Sequence, residues 1–502
     1  MGAVLSWLRK HSGNKPEPTT NNNTIKTSKN STTITADDTV VDIAGKMATD
    51  TVTSSGSSSD GRLTIIIVGA GLGGLGAAIS CAMGGHSVRV IEQAKEISEI
   101  GAGLQITPNG SRLLQHWQVP EAFWKTVAEP TDLFVHRYSG EVLYRETDFN
   151  TRQRTKYGAP FVDVHRADLQ QALYKRALAL GVVFSLDERV VALDVAGRTD
   201  ASLTTASGKS FTADLVIGAD GLWSQCRKTF LNDAPRSQPI PTGDLAYRIV
   251  LTLDEISDED LREWVRKPTV HFWIGPGAHA VGYSLRGGEM YNIVLLVPDN
   301  LPDQVSKEKA SVQEMNELFS SWDPTLKRFL GYVDSVDKWK LMHMEELPHW
   351  VNDEANLVFL GDACHPMLPY LAQGANSSLE DGAVLGTLLS HVKEKSQLKT
   401  ALHSYEAVRK QRGEAIVRET FNQRADFHML NGDKQVFRDE ALRAGPNWDT
   451  HAAFPSRWNC PKVQPWLYGY DAVAEAEKAV ASQGKANVSS GPSGSALPHS
   501  QL

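Results

Sequence analysis

The chain has 502 residues, of which 41% are hydrophobic, and this length is enough for two closely packed domains with a large core. Its formal charge of −8 at pH 7 is spread along the sequence without a basic block, which argues against a nucleic-acid-binding surface. Apolar runs stay well short of the roughly 20 residues that a membrane-spanning helix needs, so we expect no transmembrane segment.

The two ends of the chain differ in composition from the rest. Residues 1–60 and 476–502 are rich in small and polar residues and poor in aromatic residues. Such segments cannot bury enough apolar surface to offset the entropy that is lost on ordering. We therefore expect both tails to be disordered.

The N-terminal residues and the cysteines bear on the location of the protein. MGAVLS matches the pattern for N-myristoylation at Gly2, although such short matches often arise by chance, and one acyl chain would anchor the protein only weakly. The four cysteines lie far apart without a CxxC pair, which is typical of a reducing compartment. We expect a cytoplasmic protein, with weak membrane association if Gly2 is acylated.

The first motif of the central region follows a predicted strand. Residues 62–93 read RLTIIIVGAGLGGLGAAISCAMGGHSVRVIEQ, with two apolar runs on either side of an Ala-rich stretch. Gly69 permits a tight turn, Gly71 lets the backbone approach a pyrophosphate, and Gly74 allows the helix to pack closely on the strand. The helix N-terminus would offer N–H groups to phosphates, and Glu92 ends the second strand where a ribose hydroxyl would lie. Together these features predict a dinucleotide site.

A second glycine turn and an arginine follow. Gly101-Ala102-Gly103 precedes a helix that is predicted to begin near Pro108, and its glycines would let the backbone pass close to a planar ligand. A plain loop with a helix cap is the alternative. Arg166 precedes another predicted helix, where it is either a surface residue or a clamp beside the phosphate site.

Two more strand-and-turn units lie further along the chain. ADLVIGADGLWSQCRK places Asp220 in a turn after a short apolar strand, and residues 361–381 read GDACHPMLPYLAQGANSSLED. Asp362, Cys364 and His365 could indicate a hydrolase or a metal enzyme. However, neighbours in sequence rarely converge on one ligand, and the strand-turn-helix context explains these residues without a metal.

These units in this order resemble the flavin-dependent aromatic hydroxylases of the para-hydroxybenzoate hydroxylase type, and most closely the fungal salicylate-hydroxylase-like monooxygenases. The resemblance runs from about Leu63 to Tyr470 and rests on GAGLGG with Glu92, the GADG turn at Asp220, and LGDACHPMLPYLAQGAN at Asp362. It implies an α/β fold: a Rossmann-type FAD-binding domain, an interleaved substrate domain built on an antiparallel sheet, and C-terminal helices.

The resemblance also implies a division of the chain into segments. Between tails at 1–60 and 476–502, the FAD-binding domain would comprise residues 61–240 and, together with the C-terminal helices, residues 346–475. The substrate-domain sheet would lie in residues 241–345.

The resemblance assigns cofactor roles to matching positions. Glu92 would hold the adenosine ribose, and Arg166 would reach the FAD. Asp220 would assist FAD and NAD(P)H binding, and Asp362 would bond the ribityl chain. The backbone would border the flavin at Gly103, Gln105, Gly374 and Ala375. No residue is assigned to a metal.

The implied activity is that of a single-component monooxygenase. It would take electrons from NAD(P)H and hydroxylate a phenolic or other small aromatic substrate with O2, by way of a flavin C4a-hydroperoxide. The protein would bind and orient the substrate and exclude water. The single Gly-x-Gly-x-x-Gly motif agrees with this, because FAD would use it and nicotinamide would have no domain of its own. The oligomeric state and the choice between NADH and NADPH stay open.

The residues that activate the substrate are expected on the sheet. Residues 241–298 contain segments that alternate in polarity like antiparallel strands, which can direct polar side chains into one pocket. The candidates are Tyr247, Arg248, His271, His279 and Tyr283. Packing within the sheet or exposure at the surface is the alternative for each. We predict Arg248 as the partner of a carboxylate or phenolate, and Tyr283 as the partner of the phenol.

Two other functions are compatible with the sequence. The same cofactor chemistry supports an epoxidase or hydroxylase of a fungal polyketide or terpenoid. The non-enzymatic alternative is a FAD-binding protein that associates with a membrane through its N-terminus. Substrate-stimulated NAD(P)H oxidation would distinguish it.

Overall fold

A computed structural model describes residues 61–97, 102–232, 234–450 and 452–489. Gly2 and the expected tail at 1–60 lie outside these residues, and so does Gly101. The tail that we expected from residue 476 begins inside a helix, Ala472–Ser489. Its alanines favour a helix, and Ala476 is fully buried in the core, which accounts for the order of this part.

The strands are numbered in chain order. They are β1 (Thr64–Val68), β2 (Ser87–Ile91), β3 (Gly103–Ile106), β4 (Asp132–Arg137), β5 (Val142–Glu146), β6 (Val162–His165), β7 (Val183–Ser185), β8 (Val190–Asp194), β9 (Ala201–Thr205), β10 (Ser210–Ala213), β11 (Leu215–Gly218), β12 (Ile240–Thr252), β13 (Thr269–Gly275), β14 (Ala278–Leu285), β15 (Met290–Pro298), β16 (Lys307–Ala310), β17 (Val336–His343) and β18 (Leu357–Phe359).

The helices are numbered in the same way. They are α1 (Leu72–Met83), α2 (Pro108–His116), α3 (Glu121–Trp124), α4 (Phe149–Tyr157), α5 (Arg166–Ala179), α6 (Gln225–Phe230), α7 (Glu259–Arg266), α8 (Val312–Leu318), α9 (Pro324–Leu330), α10 (Gln373–Ser390), α11 (Leu398–Phe427), α12 (Asp433–Ala444), α13 (Val463–Tyr468) and α14 (Ala472–Ser489).

A parallel sheet carries the strands that precede the sequence motifs. Its order is β18-β11-β1-β2-β7, and every neighbouring pair is parallel. The runs Ile65–Val68 and Leu215–Gly218 are buried, as expected for strands that are covered on both faces. Helix α1 connects β1 with β2, so the predicted Rossmann-type unit is confirmed.

A second, eight-stranded sheet has the order β16-β17-β12-β15-β14-β13-β4-β5. Its neighbours are antiparallel except for β13 and β4. Strands β4 and β5 come from residues 132–146, so the sheet draws on more of the chain than residues 241–345. The chain then returns to the parallel sheet at β18, which confirms the interleaved arrangement.

Helix α10 packs against α1 at very short range. A Cβ atom on Gly382 would lie 2.6 Å from the backbone nitrogen of Ala77, and one on Gly386 would lie 2.9 Å from that of Cys81. Glycine at both positions therefore lets the two helices approach each other. Five large apolar side chains of α10 are buried in the core: Leu379, Val384, Leu385, Leu388 and Leu389.

The C-terminal helices α11 to α14 complete the fold, as predicted. Within the described residues, no helix combines the length and the apolar character needed to cross a membrane.

Candidate active site

A cavity of about 310 Å³ lies where the two large sheets meet. One side is lined by the turns after β1, β11 and β18, at Gly71, Ala219 and Asp362. The other side is lined by side chains of the eight-stranded sheet. Ligands of α/β proteins bind at the carboxyl ends of parallel strands, so this cavity is the best candidate for an active site.

The first glycine turn has the geometry that the motif predicts. Gly69 has a φ angle of 103°, and a Cβ there would lie 2.5 Å from the carbonyl oxygen of Ala219. A Cβ on Gly74 would collide with the carbonyl of Gly69. Gly71 lines the cavity, and a Cβ there would meet no protein atom within 4 Å. Helix α1 begins directly after Gly71 without a side-chain cap, so its first N–H groups are available to a ligand.

Two of the predicted acidic residues hold the turns through their side chains. Glu92 accepts hydrogen bonds from the backbone N–H groups of Ala70, at 2.7 Å, and Ala94, at 2.8 Å. Asp220 accepts from Oγ of Ser224, at 2.5 Å, and from the N–H of Cys226, at 3.0 Å. Neither carboxylate is part of the cavity wall, and their roles toward a nucleotide stay predictions.

Arg166, Arg248 and Asp362 surround the cavity with charge. Loss of hydration raises the pKa of Asp362 above its ordinary value, although His365, Arg166 and Arg227 act in the opposite direction. Loss of hydration also lowers the pKa of Arg166, with Asp362 opposing this shift and Arg248 adding to it. Arg166 is therefore coupled electrostatically to both Asp362 and Arg248 at the wall of the cavity.

The second glycine turn serves close packing as well as the cavity wall. A Cβ on Gly103 would lie 2.7 Å from Cε2 of Tyr283, and the N–H of Gly103 donates to Oδ1 of Asn292 at 2.8 Å. Gln105 also lines the cavity, and its side chain donates to Asp163 at 2.9 Å. The absence of a side chain at Gly103 thus lets β3 lie against β14 and β15 beside Tyr283.

Helix α10 begins at the cavity. It follows Ala372, which has a φ angle of 50° and provides no side-chain cap. Gly374 and Ala375 line the cavity, and their place beside a flavin stays a prediction. The Asn376 side chain joins this helix start to β3, because its Nδ2 donates to the carbonyl of Gln105 at 3.1 Å. The N–H groups and the positive dipole end of an 18-residue helix are therefore held at the cavity.

One face of the eight-stranded sheet forms the opposite wall. Side chains alternate along each strand, so Arg248 and Tyr283 line the cavity, whereas Tyr247 and His271 point away from it. His279 is on the cavity face as well. The full contribution of this sheet is Ala246, Arg248, Phe272, His279, Val281, Tyr283, Val294 and Leu296.

Two polar groups on this wall, Tyr283 and His279, are both uncharged at neutral pH. Burial raises the pKa of Tyr283 well above its ordinary value, and Asp163 adds to the shift while Arg248 opposes it. Burial lowers the pKa of His279 well below its ordinary value, and neighbouring His428 adds to that shift. At neutral pH the tyrosine is therefore a hydroxyl donor and the histidine is uncharged.

Sequence reasoning missed several residues that line or adjoin the cavity, including two aromatic residues and one histidine. Tyr370 and Trp458 line the cavity, and His428 bonds His279 from the end of α11. Tyr370 lies inside the quoted motif LGDACHPMLPYLAQGAN, so it could have been included. Trp458 and His428 belong to a part of the chain without a recognisable motif, and only the fold brings them to the site.

The reactive-looking groups after β18 do not converge. Asp362 lines the cavity, whereas Nε2 of His365 lies 2.5 Å from Oδ2 of Asp381 and the Cys364 thiol is directed to the carbonyl of Gly361 at 3.5 Å. Burial raises the pKa of Cys364 well above its ordinary value, so it is a poor nucleophile. Across the described ranges, no three His, Cys, Asp or Glu side chains are placed to hold a metal ion.

Comparisons with known proteins agree with a flavin site. The FAD binding domain family matches residues 62–420. The chain is 46% identical to the FAD-dependent monooxygenase OpS4 of Beauveria bassiana (strain ARSEF 2860), over 84% of this chain and 97% of that protein. It is 34% identical to 3-hydroxybenzoate 6-hydroxylase of Klebsiella oxytoca, over 74% of this chain and 90% of that protein. A salicylate hydroxylase substrate complex has the same fold, with a TM-score of 0.67 at 22% identity, over 84% of this chain and 98% of that chain.

The residues of the cavity fit FAD. The open space at Gly71 gives room for a pyrophosphate, and the first N–H groups of α1 can bind it. The start of α10 can receive the electron-accepting edge of the flavin ring. The chain therefore belongs to the family that carries this FAD binding domain, and it is a FAD-dependent monooxygenase of the aromatic hydroxylase type.

Proposed function

We propose that this enzyme hydroxylates a phenolic ring, with FAD as its cofactor, NAD(P)H as the electron donor and O2 as the oxygen source. The observation that carries the proposal is the grouping of Arg248, His279 and Tyr283 on one wall, opposite Gly71 and the start of α10. A cation, a neutral base and a hydroxyl donor form a set suited to an acidic phenol.

The parallel-sheet side would hold FAD. Gly71 and α1 would receive the pyrophosphate, Asp362 would bond the ribityl hydroxyls, and Arg166 would lie beside the cofactor. Glu92 and Asp220 would act on the nucleotide near their turns. The backbone at Gly103, Gln105, Gly374 and Ala375 would border the flavin. When bound, FAD would supply the activation of O2, using electrons from NAD(P)H.

The eight-stranded sheet would orient the substrate. Arg248 would pair with a carboxylate or phenolate, and the hydroxyl of Tyr283 would donate to the oxygen of the ring. The neutral imidazole of His279 would accept the proton of the phenol, and the resulting phenolate ring is more electron-rich. The apolar walls at Phe272 and Trp458 would exclude water from the reacting carbon.

A larger natural product is the second candidate substrate. OpS4, a fungal relative, is named as a FAD-dependent monooxygenase without a substrate, and the same cavity walls are compatible with a polyketide or terpenoid. In that case the reaction would be an epoxidation or a hydroxylation. The product of an epoxidase would carry its new oxygen across a former carbon–carbon double bond.

Substrate-stimulated turnover tests the proposal. We expect NADH or NADPH consumption by the FAD-loaded enzyme to rise with salicylate, other hydroxybenzoates or larger phenols, and the product to gain one oxygen atom. Benzoate is the matched control, because it has the carboxylate but no hydroxyl. No stimulation by any phenol would contradict the proposal, and stimulation by an isolated alkene with formation of an epoxide would favour the second candidate.

The location of the protein is also a proposal. We propose a cytoplasmic enzyme, which the four free cysteines Cys81, Cys226, Cys364 and Cys460 support. The MGAVLS start would allow acylation of Gly2 and weak membrane association. A Gly2→Ala variant should then lose an acyl mass from the N-terminal peptide. An unmodified wild-type peptide would contradict the acylation.

A further inference from the structure

A pair of histidines connects the cavity wall with the surface. Nδ1 of His279 lies 2.7 Å from Nε2 of His428. His279 lines the cavity and is 2% exposed, whereas the His428 side chain is 8% exposed and lies beside Arg424, whose side chain is 34% exposed. The two rings therefore span the protein layer between the cavity and solvent.

Asp244 on β12 sets the hydrogen positions in this pair. Its carboxylate accepts hydrogen bonds from the hydroxyl of Tyr370 and from the guanidinium of Arg424. Oδ2 of Asp244 lies 3.9 Å from Nδ1 of His428, so its negative charge favours a hydrogen on that nitrogen. Neutral His428 then has its lone pair on Nε2, where it accepts the N–H of His279.

This arrangement also fixes the protonation of Nε2, the second ring nitrogen of His279. With the hydrogen on Nδ1, Nε2 of His279 carries the lone pair. Among the residues that the structure describes, this nitrogen has no hydrogen-bond partner, and the ring lines the cavity. In catalytic triads, too, a carboxylate fixes the tautomer of a histidine that serves as a base.

Four groups from different elements act on His428: Asp244 on β12, Arg424 on α11, Tyr370 before α10 and His279 on β14. Burial lowers the pKa of His428 to about 4, with Asp244 opposing the shift and Arg424 adding to it. Both imidazoles are therefore neutral before substrate binds. Negative charge that develops on a phenol oxygen would favour protonation of the adjacent ring.

We propose that His279 accepts the proton of the substrate hydroxyl at Nε2, and that His428 positions His279 and passes a proton on to solvent. The proposal rests on the proposed hydroxylation of a phenol. The O–H bond of the phenol breaks as an N–H bond forms at Nε2 of His279. The N–H bond at Nδ1 of His279 breaks as Nε2 of His428 gains a hydrogen, and Nδ1 of His428 releases a proton to water. The reverse transfer reprotonates the product and restores both tautomers.

Two substitutions at one position separate positioning from proton transfer. Glutamine in His428→Gln can still accept the N–H of His279, but it cannot pass a proton through a ring. Leucine in His428→Leu removes both properties. His136→Gln is the matched control, because Nε2 of His136 lies 2.9 Å from Nδ1 of His271 in a buried pair that does not line the cavity.

The experiment measures kcat and KM of the FAD-loaded enzymes across about pH 6 to 10, with the phenol that the wild type hydroxylates fastest. FAD content and melting temperature are measured for each variant. We expect kcat of His428→Gln to fall roughly tenfold or more at pH 7, while KM stays within about twofold, because loss of acid–base assistance acts on the chemical step. The loss should shrink toward pH 10, where a phenol with an ordinary pKa of about 10 ionises without help. The ultraviolet difference spectrum of the bound phenol should show less phenolate at pH 7.

Several outcomes would overturn the relay. One is a loss of kcat in His428→Gln that is equal at every pH, and another is no loss of kcat in that variant. A third is the same pH profile of kcat in His136→Gln. If the wild type works and His428→Gln matches it, only the relay is wrong. If no phenol stimulates NAD(P)H consumption by the wild type, the proposed function is wrong, and the relay is wrong with it.

Discussion

Nε2 of His365 lies 2.5 Å from Oδ2 of Asp381, and neither side chain is more than 1% exposed. Asp381 also accepts from the N–H of Gly361, at 2.9 Å, and from Nε of Arg409, at 2.7 Å. One carboxylate on α10 thereby holds both the turn after β18 and helix α11. His365 thus serves to fix the loop that carries Asp362 to the cavity.

We expect Asp381→Asn to lower the free energy of unfolding by about 3–5 kcal/mol, because it leaves Arg409 buried with less compensating charge. Urea unfolding at pH 7 measures the change. Asp353→Asn is the control, since Asp353 is exposed. An equal free energy of unfolding in the two variants would show that the buried network contributes little.

The same carboxylate predicts a dependence of stability on pH. Burial alone would raise the pKa of Asp381, but His365 and Arg409 hold it at about 2, below the ordinary value of 3.8. Its contribution to stability is therefore present above the ordinary value and is lost as pH falls toward 2. We expect the free energy of unfolding to fall more steeply over this range in the wild type than in Asp381→Asn. Parallel curves would contradict this assignment.

The glycine at position 71 gives a test of the FAD site. A Cβ there would meet no protein atom, so Gly71→Ala should leave the apoprotein folded with a similar melting temperature. The methyl group would enter the space of the pyrophosphate. We expect FAD to bind roughly 10- to 100-fold more weakly, which corresponds to an overpacking cost of about 1–3 kcal/mol.

Fluorescence titration of the apoprotein with FAD measures this effect. Gly331→Ala is the matched control, since Gly331 follows helix α9 and does not line the cavity. Unchanged FAD affinity in Gly71→Ala would show that the cofactor does not approach this turn.

Two tyrosines on opposite faces of the sheet form a matched pair. Tyr283→Phe removes a donor from the cavity, and we expect kcat/KM for the phenol to fall roughly tenfold, as for a hydrogen bond worth about 1.5 kcal/mol. The buried hydroxyl of Tyr247 has no hydrogen-bond partner among the described residues. Tyr247→Phe should therefore keep full activity and leave the melting temperature unchanged or raised. Equal losses in the two variants would refute the assignment of Tyr283.

Arg248 is expected to select for an acidic group. Arg248→Ala should lower kcat/KM for a carboxylated phenol such as salicylate roughly 10- to 100-fold, the equivalent of a charged hydrogen bond of about 1.5–3 kcal/mol. The loss should be smaller for a phenol without a carboxylate. Steady-state kinetics with both substrates measure the difference, and Arg198→Ala, at an exposed position, is the control. Equal losses for the two substrates would exclude a pairing with the carboxylate.

Local sequence patterns predicted much of the fold. The apolar runs before Gly69 and Asp220 predicted strands, and the structure pairs these two strands in parallel. The spacing of Gly69, Gly71 and Gly74 predicted the turn and its contacts. Alternation within β12 and β14 predicted a sheet with one face toward a pocket.

The same patterns could not decide which face that was. A shift of one residue exchanges Tyr247 for Arg248, and only the packing of the sheet on the cavity distinguishes them. His428 could not be found from local sequence, since it lies 149 positions from His279 and the two meet only through the path of α11. The motif around Asp362 predicted a site but not the link from His365 to Asp381.

The origin of the oxygen atom in the product tests the central claim most directly. The FAD-loaded enzyme is supplied with NAD(P)H, a phenol that stimulates turnover and O2 enriched in oxygen-18, and the product is analysed by mass spectrometry. We predict one labelled oxygen atom on the ring of each product molecule. A product without label, or NAD(P)H consumption that yields only hydrogen peroxide with every phenol tested, would contradict the assignment of this enzyme as a phenol hydroxylase.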